Sequence, residues 1–307
     1  MHKLVIHKLG PIQNCEIQCT PFMTFTGFQA SGKSTVAKAI YYFQTIKEDI
    51  IELARTQALN AFAVNDIKNE FEKERGWDLK KGLENHLREK FLRTFGSSWG
   101  MSNEMYMEYH FTSTCSVKIS LKDNPGYSTP NYIWITYSKE LRIFLENQNN
   151  CFHATPLGVS EEEVKKFKTE LYKLFDDTHS VVYIPAGRSM ITLLSQQLGY
   201  IYAIMDDVQK RSLDSCTKDY LERILRLKPA FSEGLNGLLS YFGNHTVISE
   251  EKINEALRLV KKILRGSYRY TDGEEQILLD NGKYVKINFS SSGQQECVWI
   301  LNLLFYY

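Results

Sequence analysis

The sequence predicts an α/β protein with an α+β region inserted into it, and three observations lead there. A glycine-rich run, "GFQASGKS", lies between a β-favouring run and an apolar-periodic helix near the N-terminus. Three alternating β-favouring runs fill the middle of the chain. Near the C-terminus, "SSSGQQE" separates a β-meander pattern from an apolar helix. At 307 residues the chain is long enough to bury a full core, as one large domain or two. Its 43% hydrophobic and 24% charged residues place it with ordinary soluble globular proteins. A net charge of +1 argues against bulk attraction to nucleic acid, while leaving room for a local basic stripe. No apolar run approaches the roughly 18 residues of a membrane span. The opening "MHKLVIHKLG" is too short an apolar stretch for a signal peptide. Six cysteines are scattered without a CxxC pair, and Cys15 and Cys19 have no matching His/Cys cluster. Reduced thiols in the cytoplasm, with no metal site, are the expectation.

Taken in order, Lys3 to Ile6 and Cys15 to Cys19 read as short strands around the turn "GPIQN". "MTFT" reads as a third strand ending at Gly27. A helix then runs from Lys33 through "STVAKAIYYFQTIKEDIIELARTQ", where Val36, Ile40, Phe43 and Ile46 recur at helical spacing. The stretch from Ala61 to Phe95 is charge-rich and helical, interrupted at Gly76 and Gly82. "EMYMEYHFT", "CSVKISL" and "NYIWITYS" predict a small antiparallel sheet. "EEEVKKFKTELYKLF" predicts an amphipathic helix and "SVVYIPAG" a buried strand. Helices fill Ile191 to Arg265, with Pro229 following the end of one of them. The turn signals Asp272-Gly273 and Asn281-Gly282 predict a β-meander before the last helix.

Gly27, Gly32, Lys33 and Ser34 match GxxxxGK[ST], between a predicted strand and a predicted helix. The chemistry needs this spacing. Glycines let the backbone N–H groups of Gln29, Ala30, Ser31 and Gly32 turn in around phosphates, and the positive helix end adds to the field. Lys33 reaches the β- and γ-phosphates, the Ser34 hydroxyl ligates Mg²⁺, and Thr35 supports the α-phosphate. The expectation is a nucleoside triphosphate site with Mg²⁺, the mark of a P-loop NTPase.

A second anion-binding helix start is expected at Ser291, Ser292, Gly293, Gln294 and Gln295, more than 250 residues downstream of Lys33. Together with the phosphate loop, this run resembles an ABC-type ATPase head of the SMC, RecF and OLD kind, within the broad AAA family of ATPases. The strand pair around "LGPI", Val5 to Ile12, is similar to the one that precedes the loop in that family. "VVYIPAGRS", Val181 to Ser189, is similar to the strand leading into its Q-loop. The resemblance implies a head formed by 1–60 and 178–307, with 61–177 inserted. It implies a homodimer in which Ser291–Gln295 of one copy contacts the γ-phosphate held by the other. It further implies a hydrolase acting in DNA maintenance or anti-phage defence, with DNA and an effector protein as possible partners and no membrane.

Two departures bear on catalysis. The Q-loop glutamine is absent from "IPAGRS"; Arg188 stands near that place as a candidate phosphate contact, and Gln196 and Gln197 lie further on. The family's strand ending in Asp-Glu, Walker B, would follow the signature helix beyond Tyr307. The 307 residues are therefore expected to belong to a longer protein and to bind ATP without turning it over efficiently. "YIYAIMDD", ending in Asp206 and Asp207, imitates such a strand, but Ile201, Ile204, Met205 and Val208 recur at helical spacing. Two alternatives remain: a small-molecule kinase, and a nucleotide-gated scaffold without hydrolysis. Two basic sets, Arg223, Arg226 and Lys228, then Arg258, Lys261, Lys262 and Arg265, read first as cations at helix C-termini and second as phosphate contacts with DNA.

Overall fold

Alternation at Leu4 and Ile6 gives β1 (Lys3–Leu9) a buried face, Leu9 is buried after the period breaks at Lys8 (φ 50°), and the turn at Gly10 and Pro11 returns the chain as β2 (Ile12–Gln18). The computed structural model describes residues 2–65, 78–123, 131–148, 152, 154–155, 158–206, 209, 213–242 and 249–306. The chain divides into two units, Met1–Val181 and Val182–Tyr307, each with its own core. The boundaries expected at 60/61 and 177/178 both lie inside the first unit.

In that unit the three central β-favouring runs form β3 (Tyr106–His110), β4 (Ser116–Lys122) and β5 (Tyr132–Tyr137). They do not make a separate sheet. β3 pairs with the free edge of β1, setting Leu4 opposite Tyr109 and Ile6 opposite Met107, in an antiparallel order β2-β1-β3-β4-β5. Covering that edge satisfies a row of backbone groups that would otherwise face solvent. The long helix expected from Lys33 breaks into α1 (Lys33–Gln44) and α2 (Ile46–Asn65). At the break, Thr45 donates its hydroxyl to Tyr41 O at 2.8 Å, a back-bond that bends helices. α3 (Leu79–Phe95) starts on Asp78, whose carboxylate accepts from Lys81 N. The interruption expected at Gly82 falls within its first turn, and the one at Gly76 lies outside the described residues. After α4 (Lys139–Asn147) and the short pair β6 (Ala154–Thr155) and β7 (Gly158–Val159) comes α5 (Glu161–Phe175), as its pattern predicts.

The second unit runs through α6 (Arg188–Leu193), α7 (Ser195–Ile204), α8 (Ser215–Leu227), α9 (Gly234–Phe242) and α10 (Glu250–Leu264). The meander follows as β8 (Ser267–Thr271), β9 (Glu274–Leu278) and β10 (Tyr284–Lys286), antiparallel in the order β10-β9-β8. Asp272 and Gly273 both take positive φ, as a two-residue hairpin turn requires. α11 (Ser292–Tyr306) closes the unit.

The sheets are thus antiparallel among the described residues, and the chain is of mixed α and β structure. Two expected strands are corrected. Met23–Gly27 and Val181–Ile184 form none, because neither finds a neighbouring strand to complete a ladder. "YIYAI" is helical, in α7, with Asp206 just after it and Asp207 outside the described residues. Its apolar stripe is not buried, however: Ile201 and Ile204 face solvent while Tyr202 packs on the core. No helix among the described residues is long and apolar enough to cross a membrane.

Two buried ion pairs hold α2 in place. Lys47, 1% exposed, pairs with Asp177 after α5. Asp49 pairs with Lys90 of α3, whose ammonium also donates to Thr45 Oγ1 at 2.7 Å. Burial by itself raises the Asp49 carboxyl pKa; Lys90 and His86 outweigh it and hold that pKa below the usual range. A carboxyl with a depressed folded pKa contributes stability above its unfolded pKa, about 3.9, and loses it as pH falls through the folded value. Lys90→Met leaves the carboxylate buried without its cation and should cost about 3–5 kcal/mol at pH 7. Urea unfolding at a series of pH values should show the gap between variant and wild type narrowing below about pH 4.

Candidate functional site

The loop between Met23 and α1 carries three residues of positive φ. Gly27, Ala30 and Gly32 take φ of 149°, 60° and 94°, turning the chain sharply three times before Lys33. Such a succession of left-handed residues lets consecutive N–H groups converge. Gly32 admits nothing larger: a Cβ there would lie 2.6 Å from Cγ1 of Ile12. The β1–β2 turn therefore supports the loop from beneath. Ala30, an L-residue in the left-handed region, carries local strain of the kind that clusters at binding sites.

Lys33 folds back over the loop and donates Nζ–H bonds to the carbonyls of Gly27 (2.9 Å) and Phe28 (2.6 Å) and to Ser31 Oγ (3.3 Å). Its ammonium thus stands within the turn that a phosphate would fill. α1 begins without a side-chain cap and without an acidic residue in its first turn, so its positive end is neither satisfied locally nor neutralised. The run from Thr24 to Ser31 is exposed, as is Ser34, while Gly32 is buried and Thr35 half-buried. Gln29 and Ser31 both lie on the open side.

Next to this loop is a cavity of about 490 Å³, lined by Ser34, Thr35 and Lys38 of α1, Lys8, Gly10 and Gln13 of the hairpin, and Gly100 to Ser102. The sequence reading missed Lys8, Gln13 and Lys38. Lys38 was accessible to it, since four residues after Ser34 is the same helix face. A cavity of about 610 Å³, around Phe144 and Leu174, shares no residue with the loop and sets Glu140 and Glu170 beside Lys173; another of about 670 Å³, in the second unit, is lined by Arg258, Lys261 and Arg269.

In the second unit, Ser291 and Gln294 form a capping box at the start of α11. Gln294 Oε1 accepts from Ser291 N (3.0 Å) and Oγ (3.1 Å), and Gln294 N donates to Ser291 Oγ (3.3 Å). Gln294 Nε2 also donates to Leu264 O at the end of α10, at 2.7 Å. Buried Gln295 donates to Ile287 O and Ser290 O, both at 3.1 Å. Both glutamines therefore fasten the turn, and Ser292 and Gly293 are left at the exposed helix start. Arg188 is committed as well: its guanidinium meets the Glu296 carboxylate at 2.8 Å and donates to Glu296 O at 3.2 Å.

One buried carboxylate anchors this arrangement. Glu275 of β9 accepts from Tyr268 OH (2.9 Å) and Trp299 Nε1 (3.0 Å), and pairs with Lys228 at 2.8 Å. Trp299 lies two turns into α11, so the network sets the axial position of the helix whose start carries Ser292. Burial, with Glu275 beside it, pushes the Tyr268 hydroxyl pKa far up. Lys228, read from sequence as a cation at a helix C-terminus, stands at the C-cap of α8, but it is buried there and paired with Glu275; Arg223 pairs with Asp219 on its own helix. β alternation puts Glu275 on the face of Ile277, so its burial was readable, but its partners were not.

Lys228→Met leaves the Glu275 charge uncompensated and should destabilise this unit by about 3–5 kcal/mol. Adding Glu275→Gln removes the charge while keeping an acceptor for Tyr268 and Trp299. Chemical unfolding should show the double variant recovering most of that loss.

No family model matches the chain, and neither a curated protein nor a solved structure matches it significantly.

Proposed function

We propose that this chain binds ATP with Mg²⁺ through Gly27–Thr35, and that two copies associate head to head around two nucleotides. The observation that carries the reading is Lys33 Nζ held on the Gly27 and Phe28 carbonyls, inside a loop with left-handed turns at Ala30 and Gly32. A phosphate in that turn would accept from the loop amides and from Lys33 and lie at the uncapped start of α1. Ser34 supplies one hard oxygen ligand for Mg²⁺, the remaining ligands being phosphate oxygens and water. The cavity beside Lys8, Gln13 and Lys38 has the polar lining and the position to take the ribose and base.

The fold proposed is the P-loop NTPase fold, in the form of an ABC-type head. In this reading Met23–Thr26 feeds the loop, and hydrolysis needs the family's strand ending in Asp-Glu. Slow hydrolysis belongs to the protein that contains such a strand. The setting, DNA maintenance or defence against foreign DNA, and the DNA and effector partners rest on the resemblance alone. Ser292 and Gly293 are the residues proposed to meet the γ-phosphate of the opposite copy. Arg188, paired with Glu296, serves that contact indirectly by steadying the first turn of α11.

Calorimetry tests the loop. Lys33→Ala removes a charge-assisted contact worth roughly 1.5–3 kcal/mol, so ATP affinity should fall about tenfold or more. Equal affinity in variant and wild type would contradict the site. Light scattering tests the arrangement in trans. Ser292→Arg should leave ATP binding by the monomer intact and abolish ATP-dependent dimers, whereas undiminished dimers would favour a kinase-like phosphate loop.

A further inference from the structure

We infer that Phe28 and Phe289 form an aromatic contact between two copies of this chain, each Phe28 packing on Phe289 of the second copy. The inference rests on the head-to-head reading and adds to it the residues that form the apolar part of the interface. Phe28 follows the first glycine of the loop. Its carbonyl turns inward to accept from Lys33 Nζ at 2.6 Å, while the residue as a whole is 92% exposed. Phe289 ends a single turn of 3₁₀ helix, Ile287–Phe289, two residues before Ser291. It is 82% exposed although Ile287 beside it is buried.

Each motif therefore presents one large ring to solvent. Contact between the loop of one copy and the Ser292 turn of another brings these two rings together, and two-fold symmetry makes the contact twice. The area involved argues for the same occupant. Four phenyl rings remove roughly 600–1,000 Å² from water. That falls below the roughly 1,200–2,000 Å² of a stable specific interface. The rings add specificity and apolar burial without making a permanent dimer, and the bound nucleotide must supply the remainder. An ATP-dependent dimer needs that balance.

The 307-residue chain with ATP and Mg²⁺, followed by sedimentation, provides the test. Phe28→Ser and Phe289→Ser should each weaken the dimer about tenfold or more, and the double variant should fall short of the product of the two, since both remove one contact. Phe22→Ser removes an equally exposed ring outside both motifs and should leave the dimer unchanged. Benzoylphenylalanine in place of Phe28, with one copy isotope-labelled, should cross-link across copies to the peptide containing Phe289. Wild-type ATP-dependent dimers that both serine variants form equally well would overturn this inference alone. A cross-link from position 28 to ATP would also overturn it, by putting the ring on the nucleotide. Wild type that stays monomeric with ATP would overturn the head-to-head reading and the inference with it.

Discussion

The approach of Gly32 to Ile12 is the constraint on which the first unit's candidate site depends. Absence of a Cβ lets the loop settle on the β1–β2 turn, and the left-handed backbone there then aims the next residues into α1. β1 in turn is held on both edges, by β2 and by β3, so the support beneath the loop belongs to a five-stranded sheet. The loop is open to solvent while its seat is packed. Thr24 to Ser31 are exposed, while Gly32, Val36 and Ala39 are packed. A rigid seat under an open loop is the arrangement that binding by backbone amides requires, because amides cannot be re-aimed by a rotamer change.

Buried ions perform the corresponding task for α2 and for α11. Lys47 with Asp177 and Lys90 with Asp49 fix α2 against its neighbours, and Glu275 with Lys228, Tyr268 and Trp299 fixes α11. Such pairs contribute little net stability over an apolar substitute, yet they are costly to break singly and they admit few alternative registers. Placing one of them under the helix that begins at Ser292 sets where that helix starts. Gln294 and Gln295 complete the effect by tying the turn to Leu264, Ile287 and Ser290.

Local patterns were the legible part of this fold. β3, β4 and β5, the amphipathic α5, the two glycine turns of the meander and the glycine-lysine-serine loop all announce themselves in short windows of sequence. Pairing was not legible in the same way. Nothing in "MTFT" distinguishes a strand with neighbours from one without, and nothing in β3 says that its partner is β1, because ladder partners lie elsewhere in the chain. Polar residues with long-range partners were misjudged for the same reason. Lys228 is the helix-end cation its position suggests, but its burial against Glu275 was not visible, and the glutamines of "SSGQQ" looked available until their carbonyl acceptors were in view. Thr45 is a subtler case, since a β-branched hydroxyl within an apolar helical pattern gives little warning that it will break the helix.

The central claim is that ATP occupies the Gly27–Thr35 loop and, through a second copy, the Ser291–Gly293 turn. Amide hydrogen exchange with and without ATP and Mg²⁺ measures both at once. Protection is expected at Gly32 to Thr35 at any saturating nucleotide concentration, and at Ser292 and Gly293 only at protein concentrations where dimers form. Exchange that is unchanged at the loop, with protection appearing elsewhere in the chain, would contradict it.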